Sequence, residues 1–192
     1  GVIRSCNDCS TYVYFILAGT VHITTFTAEG KEVTFRVQSA GEMFGLLSAV
    51  DGQPRSAHVV ARDQVAIARL NEDRFDALLT EHQEINRRIL CHMASLIRSL
   101  SERVMEYGTM SVPQRVCAEL LRLICVKDID GDTVEISPLP TNADIASRIA
   151  THREAVSREL AKLVRAGLIV KTTQGLTIKA ISQLRSKLCD TP

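Results

Sequence analysis

The chain has 192 residues, 45% of them hydrophobic and 23% charged. It can therefore bury the core of one large or two small domains, and this composition excludes a disordered or collagen-like chain. No apolar run approaches the roughly 20 residues of a membrane helix and no signal-peptide pattern opens the chain, so we expect a soluble, cytoplasmic protein without a membrane partner. The formal net charge of +1 gives no sign of a nucleic-acid partner until it is divided along the chain.

The first 70 residues have the pattern of short strands separated by turns. Residues 12–18 are rich in β-branched and aromatic side chains, and apolar and polar residues alternate over 21–25 and again over 32–37. Two further apolar runs follow, at residues 59–61 and 65–70. Many short strands predict a sandwich or barrel. Because the chain opens almost inside a strand, and closing a barrel needs more strand before Tyr12, we expect a native N-terminal segment to be missing.

Helical signals begin at Asn71, a predicted N-cap for a helix over residues 72–79. Thr80 to Gln83 match a capping box, which predicts the start of a second helix of about 25 residues. Two apolar rows on this helix predict two partners, the chain's own barrel and a second copy of the helix, and therefore a homodimer. The alternative is one wide face buried within the monomer. The rows are Ile85, Ile89, Met93, Leu96, Leu100 and Val104, and Leu90, Ile97 and Val104.

A break follows the long helix. Gly108 interrupts the pattern, and Ser111 to Gln114 start the next helix, so we predict a domain boundary and a hinge at this point. The predicted domains are 1–79, a dimerisation helix over 80–108, and 111–192. The acidic run at residues 128–132 lacks the spacing of an EF-hand loop and predicts a hairpin turn rather than a calcium site.

Residues 141–163 carry the strongest signal. Thr141 is a predicted cap of a short helix, and Thr151 to Glu154 form a second capping box that opens another helix a few residues later. Strands are predicted over residues 168–171 and 176–179. Two short helices joined by a tight turn and followed by two strands predict a winged helix-turn-helix. The inward residues are Ile145, Ala146 and Ile149 on the first helix, and Ala155, Val156, Leu160 and Leu163 on the second.

The charge distribution agrees with a DNA partner for this segment. Residues 1–110 carry 11 basic against 13 acidic residues, a net charge of −2, whereas residues 111–192 carry 12 against 9, a net charge of +3. Within residues 141–190 the count is 9 against 4, a net charge of +5. A near-neutral chain with a basic end is typical of a sensor joined to a nucleic-acid-binding domain.

The outer face of the second helix offers the groups that read base edges. Arginine can donate two hydrogen bonds to guanine, and a carboxylate can accept one from cytosine. The candidates for base contacts are Arg153, Glu154, Ser157 and Arg158, and those for phosphate contacts are Lys162, Arg165, Lys171 and Lys179. The alternatives are a capping role for Glu154 and a solvated helix face for the arginines.

Residues 151–158 (Thr-His-Arg-Glu-Ala-Val-Ser-Arg), followed by Leu-x-x-Leu-x-x-x-Gly-Leu-Ile, resemble the helix-turn-helix of the Crp/Fnr family of bacterial transcription regulators, named after the cyclic AMP receptor protein and the fumarate–nitrate regulator. The resemblance implies an α+β fold with an N-terminal β-roll (jelly-roll-like) effector domain, a long dimerisation helix and a C-terminal winged helix-turn-helix. It implies a regulator that binds double-stranded DNA at a TGTGA-type palindrome, is no enzyme, and has RNA polymerase as a further partner. The implied DNA contacts are Thr151, Arg153, Glu154, Ser157, Arg158, Lys162 and Lys171.

Residues 41–57 resemble the family's phosphate-binding cassette, which implies a cyclic nucleotide effector, cAMP or cGMP. A short helix after a glycine turn offers backbone N–H groups to an anion, and a buried arginine supplies the countercharge. The alternative for Arg55 is a structural tie to a nearby carboxylate. The implied effector contacts are Gly45, Leu46, Arg55, Ser56 and Ala57, with Leu100 and Ser101 on the long helix touching the base.

One departure from the family leaves the effector open. Family members that bind cyclic nucleotides usually place a glutamate directly after the cassette glycine, where it binds the ribose hydroxyl, and this chain has Leu46 there. Losing such a bond costs about 1.5–3 kcal/mol. Glu42 lies four residues too early to replace it. A non-nucleotide effector, or none, is therefore the alternative within the family.

Metal-based functions have weaker support in the sequence. An iron–sulfur cluster would need two more ligands beside Cys6 and Cys9, and we expect all six cysteines to be reduced thiols. A haem would need an axial ligand, and we expect His22 and His58 to lie at the surface of their strands. A cupin-type metal enzyme would require clustered His-x-His and Glu ligands that the sequence lacks, so we predict no metal.

Overall fold

The computed structural model describes residues 1–30, 32–124, 131–173 and 175–188. The chain divides into two compact units between Ser101 and Glu102. The first unit contains β1 (Val2–Arg4), β2 (Val13–Ala18), β3 (Thr20–Phe26), β4 (Glu32–Ser39), β5 (Met43–Phe44), α1 (Leu46–Asp51), β6 (His58–Ala61), β7 (Ala66–Leu70), α2 (Glu72–Glu81) and most of α3 (Gln83–Thr109). The second contains the end of α3, then α4 (Val112–Ile124), β8 (Val134–Ile136), α5 (Asn142–Arg148), α6 (Arg153–Arg165), β9 (Ile169–Lys171), β10 (Leu176–Ile178) and α7 (Ile181–Ser186).

The first unit is built on two antiparallel sheets. Their strand orders are β1-β6-β3-β4 and β5-β2-β7. One apolar core includes Tyr14 and Phe44, whose stacked rings lie 4.8 Å apart between centroids. A second core, around Val13, Phe75 and Ile89, is where helices cover β2. The predicted α+β class and its β-rich N-terminal half are confirmed, and the structure adds two short strands, β1 and β5, that the sequence pattern missed.

The predicted alternation in β3 is wrong beyond Val21. His22 and Thr24 are buried, because β3 lies between β6 and β4 and its pairing with β4 shifts register between Ile23 and Thr24. The buried imidazole is satisfied, since its Nδ1 accepts a hydrogen bond from Arg62 Nε at 2.9 Å. His22 is therefore a core residue rather than a surface one.

The helix starts were predicted with mixed success. The Asn71 side chain caps α2 by accepting from the Arg74 N–H at 3.3 Å, as expected. The capping box at Thr80 is wrong, because α2 continues to Glu81 and the Thr80 hydroxyl donates to the carbonyl of Asp76. The two helices are separated at His82, which is the C-cap of α2, and α3 starts at Gln83.

The long helix α3 has one packed and one exposed apolar row. Ile85, Ile89 and Met93 pack against the second core of the first unit. The heptad row of Leu90, Ile97 and Val104 is 64%, 62% and 69% exposed. Leu100, assigned to the first row, is also exposed. Gly108 does not interrupt the helix, which ends at Thr109.

The second unit packs its helices on a three-stranded sheet of order β8-β10-β9. The cap of α5 is confirmed: the Thr141 hydroxyl accepts from the Asp144 N–H, and the Asp144 carboxylate accepts from the Thr141 N–H. The inward faces of α5 and α6 were predicted correctly, with Ala155 only half-buried. Residues 125–130, which hold most of the acidic run, lie outside the described part of the chain. Asp132, at its end, accepts from the backbone and hydroxyl of Ser182 in α7.

Candidate functional site

A buried arginine joins the turn before α1 to the segment before β2. Arg55 is 5% exposed. Its Nη1 donates to the carbonyl of Gly45 at 2.7 Å and its Nη2 to the carbonyl of Tyr12 at 2.5 Å. Two longer bonds, from Nε and Nη2, reach the Ser10 hydroxyl at 3.4 Å each. The guanidinium also lies over the ring of Tyr14, 5.6 Å from its centroid.

The backbone of Arg55 is also hydrogen-bonded to the segment before β2. The Asn7 N–H donates to the Arg55 carbonyl, and the Arg55 N–H donates to the Asp8 carbonyl, both at 2.9 Å. The segment from Asn7 to Tyr12 is thus bound to both the backbone and the side chain of Arg55. Sequence reasoning missed Ser10, Tyr12 and Tyr14, because no local pattern signals a contact made across more than 40 residues.

The charge of Arg55 has no carboxylate partner in these four hydrogen bonds, whose acceptors are neutral oxygens. Burial lowers the pKa of Arg55, while the neighbouring Tyr14 and Asp8 act in the opposite direction. The alternative of a tie to a carboxylate is therefore not what these bonds show. A buried cation whose four hydrogen bonds go to neutral oxygens, with the carboxylate of Asp8 only nearby, favours an anion as a further hydrogen-bonding partner.

Gly45 fits this arrangement because it lacks a side chain. Its φ of 85° is in the left-handed region, and a Cβ at this position would lie 2.5 Å from Arg55 Nη1 and 2.6 Å from the Tyr12 carbonyl oxygen. Leu46, directly after it, is 6% exposed and packs in the core with Val13 and Phe75. Its side chain is a core side chain, so only its backbone is placed to meet a ligand.

The other predicted effector contacts are divided between the cassette and α3. In the cassette, Ser56 is exposed and Ala57, two residues after Arg55, is buried. Leu100 is exposed on α3, and the Ser101 hydroxyl donates to the carbonyl of Ile97 at 2.9 Å. The structure therefore brings Gly45 and Arg55 into contact, and neither Leu100 nor Ser101 belongs to the hydrogen-bonded cluster described for Arg55.

The start of α6 presents charged side chains to solvent. The side chains of Arg153 and Glu154 are 76% and 65% exposed and form an ion pair at 2.8 Å. This contact raises the pKa of Arg153 and lowers that of Glu154, mainly through the shared hydrogen bond. Ser157 and Arg158 are exposed on the next turn. All four side chains are therefore exposed together at the start of α6.

The predicted capping box at Thr151 is wrong. The N-cap of α6 is His152, whose side chain makes no capping hydrogen bond, and the Glu154 carboxylate is bound to Arg153 instead. Thr151 is buried, and its N–H donates to the carbonyl of Ala146 at the end of α5. Its role is to close the turn between α5 and α6, which leaves little of it exposed for a DNA contact.

Two further predicted DNA contacts are exposed lysines, one on α6 and one at the end of β9. Lys162 is exposed on α6 and its Nζ lies 2.7 Å from Glu159 Oε1, so part of its charge is balanced within the helix. Lys171 is exposed at the end of β9, in the wing. Both can meet phosphates, and Lys171 is placed to do so from a second element.

The described residues contain no group of three or more His, Cys, Asp or Glu side chains that could hold a metal ion. Cys6, Cys9, Cys91 and Cys117 are free thiols, whereas Cys125 and Cys189 lie outside the described residues. Over the same described residues, no helix combines the length and the apolar character needed to cross a bilayer.

A β-rich unit and a winged helix-turn-helix on one chain are features of the class of DNA-binding regulators that carry a second, sensing domain. Residues 2–82 match the model of the cyclic nucleotide-binding domain, and residues 114–187 match that of the Crp-like helix-turn-helix domain. The chain belongs to the Crp/Fnr family of transcription regulators. The predicted family and fold class are confirmed. The predicted boundaries at 79, 108 and 111 stay predictions.

Named relatives agree with this assignment. The chain is 29% identical over 171 residues, 86% of its length and 79% of the relative's, to the cAMP-activated global transcriptional regulator CRP of Escherichia coli. It is 25% identical over 158 residues, 82% of its length and 70% of the relative's, to the CRP-like cAMP-activated global transcriptional regulator of Mycobacterium tuberculosis. The structure of FixK2 from Bradyrhizobium japonicum superposes with a TM-score of 0.84 over 100% of this chain and 94% of that one, at 17% identity, which shows a shared fold.

Proposed function

We propose that this protein is a homodimer whose β-roll binds a cyclic nucleotide, cAMP or cGMP, and thereby controls the binding of α6 to a TGTGA-type palindrome. The observation that carries the effector half is Arg55, a buried cation whose four hydrogen bonds go to neutral oxygens. A cyclic phosphate would add an anionic acceptor to a cluster whose four hydrogen-bond acceptors are neutral. The relatives from Escherichia coli and Mycobacterium tuberculosis named above are cAMP-activated, which supports the same class of ligand.

The phosphate would replace the Ser10 hydroxyl as a hydrogen-bond acceptor for Arg55. The two bonds from Arg55 to this hydroxyl, at 3.4 Å each, are the longest of its four side-chain hydrogen bonds, whereas those to the carbonyls of Gly45 and Tyr12 are 2.7 and 2.5 Å. Exchanging a neutral hydroxyl for an anionic oxygen strengthens the interaction with a buried guanidinium. The Ser56 hydroxyl, exposed next to Arg55, would add a second donor.

The ribose and the base would be held differently from the family's usual pattern. The Leu46 side chain is in the core, and the Glu42 carboxylate already accepts from the Ser39 N–H and from Arg36. The ribose hydroxyl would therefore have no carboxylate from either residue. The Ser101 hydroxyl, which can donate and accept, would bind either purine, so both nucleotides are candidates.

The dimer would form along α3. Leu90, Ile97 and Val104 form a row at seven-residue spacing that is exposed in the single chain, as the seam of a two-stranded coiled coil would be. Two copies of α6 would then reach successive major grooves about 34 Å apart. Arg153 and Arg158 would donate to guanines and Glu154 would accept from a cytosine, with Lys162 and Lys171 on phosphates.

Fluorescence anisotropy on a duplex carrying a TGTGA palindrome tests the proposal. The wild type is titrated with no nucleotide, with cAMP and with cGMP. We expect at least one nucleotide to raise the affinity, Arg55→Ala to lose that response, and Arg88→Ala, which removes an exposed cation on α3, to keep it. Binding that no nucleotide changes would refute the effector half. The absence of binding under all conditions would refute the DNA half.

RNA polymerase added to the bound duplex should form a larger complex, and failure to do so would remove it as a partner.

A second candidate effector is favoured by the buried Leu46, namely a small anion without a ribose. The buried Arg55 suits any oxyanion, and the position that would bind a ribose hydroxyl carries an apolar side chain. Thermal-shift measurements with inorganic phosphate and small carboxylates beside cAMP and cGMP separate the two. Stabilisation by an anion but by neither nucleotide, lost in Arg55→Ala, would favour this candidate.

A further inference from the structure

A polar residue of β4, Gln38, is buried between the two sheets of the first unit. Gln38 is 4% exposed, whereas Phe35 of the same strand is 39% exposed. Gln38 lies directly opposite Val21 in the β3–β4 pair, and residues opposite one another project from the same face of a sheet. Val21 is fully buried in the core that also contains Tyr14 and Phe44 of the other sheet. The Gln38 side chain therefore points into the interior of the β-roll.

Only half of the Gln38 amide has a hydrogen-bond partner. Its Nε2 donates to the carbonyl of Met43 in β5 at 2.7 Å, but its Oε1 is buried and accepts no hydrogen bond. Within the described part of the first unit, no other buried side-chain nitrogen or oxygen lacks a partner. A buried acceptor without a donor destabilises the structure that contains it. The interior of the β-roll thus holds an acceptor that is suited to a donor on a ligand.

The amide is held in place by the turn between β4 and β5. The Ser39 N–H donates to the Glu42 carboxylate at 2.8 Å, and the Glu42 N–H donates to the Ser39 carbonyl at 3.0 Å. The Gln38 side chain spans this turn to reach Met43. Because the amide is planar and its nitrogen is bound, the position of its oxygen is fixed as well. An acceptor that is ordered before binding gives up little conformational freedom when a ligand donor reaches it.

The carbonyl that binds this amide lies two residues before the cassette glycine. Met43 accepts from the amide, and the Gly45 carbonyl accepts from Arg55 Nη1 at 2.7 Å. Phe44, between them in the chain, stacks on Tyr14 at 4.8 Å between ring centroids. The Arg55 guanidinium lies over the same Tyr14 ring, 5.6 Å from its centroid. The half-satisfied amide and the cassette arginine are therefore bound to two ends of one short stretch of chain.

The ribose of a cyclic nucleotide would bring a donor to this stretch. Its 2′-hydroxyl is on the carbon next to the one that carries the phosphate ester, so it lies beside a phosphate bound at Arg55. The family's usual acceptor for this hydroxyl is missing, because the Leu46 side chain packs in the core. The Glu42 carboxylate does not replace it, since it already accepts from Ser39 and Arg36. Another acceptor in the interior of the β-roll is needed.

We propose that Gln38 Oε1 accepts a hydrogen bond from the ribose 2′-hydroxyl, and that Gln38 thereby selects a ribonucleotide as the effector. The inference rests on the proposed function, because it names the residue that recognises the ribose in the same site. Oε1 is covered in this structure, as Arg55 is, so binding of the nucleotide includes a local opening of the core. The acceptor is a neutral amide, and its hydrogen bond is weaker than one to a carboxylate.

Isothermal titration of the wild-type full chain with cAMP and cGMP, each beside its 2′-deoxy analogue, tests the inference. We expect the ribonucleotide that binds to do so about tenfold more tightly than its 2′-deoxy analogue. Equal affinities for the two forms would overturn the role of Gln38 and leave the proposed function intact. If none of the four nucleotides binds, the effector half of the proposed function is refuted and this inference falls with it.

Substitution of Gln38 assigns the preference to this residue. Gln38→Leu removes the amide at similar size, and we expect the preference for the ribonucleotide to fall to about twofold or less. The affinity for the 2′-deoxy analogue should stay within about twofold of the wild type, because that ligand makes no bond to Oε1. The control is Gln64→Leu, the same change at an exposed position between β6 and β7, which should keep the wild-type preference.

The variants separate recognition from a structural role of the amide. A preference that persists in Gln38→Leu would overturn the inference, and so would an equal loss of affinity for both forms of the nucleotide. Gln38→Met, with an unbranched apolar side chain that adapts to irregular core space, gives the same comparison if the leucine variant does not fold. We expect Gln38→Met to lose the preference as well, and its retention would equally contradict the proposal.

Discussion

Gly45 and Gly52 end the same short helix, and replacing each with alanine separates backbone strain from a steric clash at the effector site. Gly45 has φ 85° and Gly52 has φ 67°, so alanine is strained at both. The left-handed conformation costs a non-glycine residue about 1–2 kcal/mol. At Gly52 nothing lies within 4 Å of the added Cβ, so that strain is the whole effect. Gly52→Ala is therefore the control for Gly45→Ala.

At Gly45 the added Cβ would lie 2.5 Å from Arg55 Nη1 and 2.6 Å from the Tyr12 carbonyl oxygen. The Tyr12 carbonyl belongs to the backbone and can move away from the Cβ only if the chain shifts. We therefore expect the Arg55 guanidinium to be displaced. Losing one hydrogen bond from a charged group costs about 1.5–3 kcal/mol, which added to the strain gives about 4 kcal/mol. The difference between the two variants, about 2 kcal/mol, is the contribution of the clash.

Calorimetry and nucleotide titration measure the two consequences. With a Tm change of about 2–4 °C per kcal/mol for a chain of this size, Gly52→Ala should lower Tm by about 5 °C and Gly45→Ala by about 12 °C. Isothermal titration should show that Gly52→Ala retains nucleotide binding and Gly45→Ala loses it, since Arg55 is displaced. Equal changes in Tm, or retained binding in Gly45→Ala, would refute the close packing of Gly45 against Arg55.

Three further predictions concern DNA, the dimer and a buried thiol. Arg153→Ala should cost about 1–3 kcal/mol of palindrome affinity and relax sequence preference, whereas Lys171→Ala should weaken all DNA alike and reduce the salt slope by about one, as anisotropy at several salt concentrations would show. Ile97→Glu should give monomers in sedimentation velocity, whereas Leu17→Glu, at an equally exposed apolar position on β2, should leave dimers intact. Burial raises the pKa of Cys117 to about 11, so this thiol stays protonated at pH 8 and should be alkylated much more slowly than the exposed cysteines, as peptide mass mapping would show; equal rates would contradict its burial.

The sequence was informative where the determining contacts are local. The Thr141 cap involves residues three apart, and the inward face of α6 follows from helical spacing, so both were predicted correctly. The burial of the His22 side chain depends on a register shift between β3 and β4. The apolar–polar alternation within one strand does not encode its register against a neighbour. Thr80 matched a capping box but continued α2, because the same residues also suit a last helical turn.

The candidate site shows the same division between local and distant contacts. Arg55 was identified from its neighbours in the chain, but its partners Ser10 and Tyr12 lie 45 and 43 residues away. The packing of Leu46 in the core, which decides that it does not reach a ribose through its side chain, also requires the fold. The motif therefore pointed to Arg55, and only the tertiary structure showed which oxygens accept its hydrogen bonds.

Arg55 and Arg148 differ in the partners that their buried charges meet. Arg148 is buried against Glu119, a carboxylate of its own chain, so its charge is balanced within the protein and an anionic ligand would have to compete with that carboxylate. Arg55 is buried to a similar degree, but its hydrogen bonds go to carbonyl and hydroxyl oxygens. Its desolvation is therefore only partly offset, and an incoming anion gains what Glu119 already supplies to Arg148. This difference in partners, rather than burial itself, is why we propose Arg55 as the residue that meets the effector.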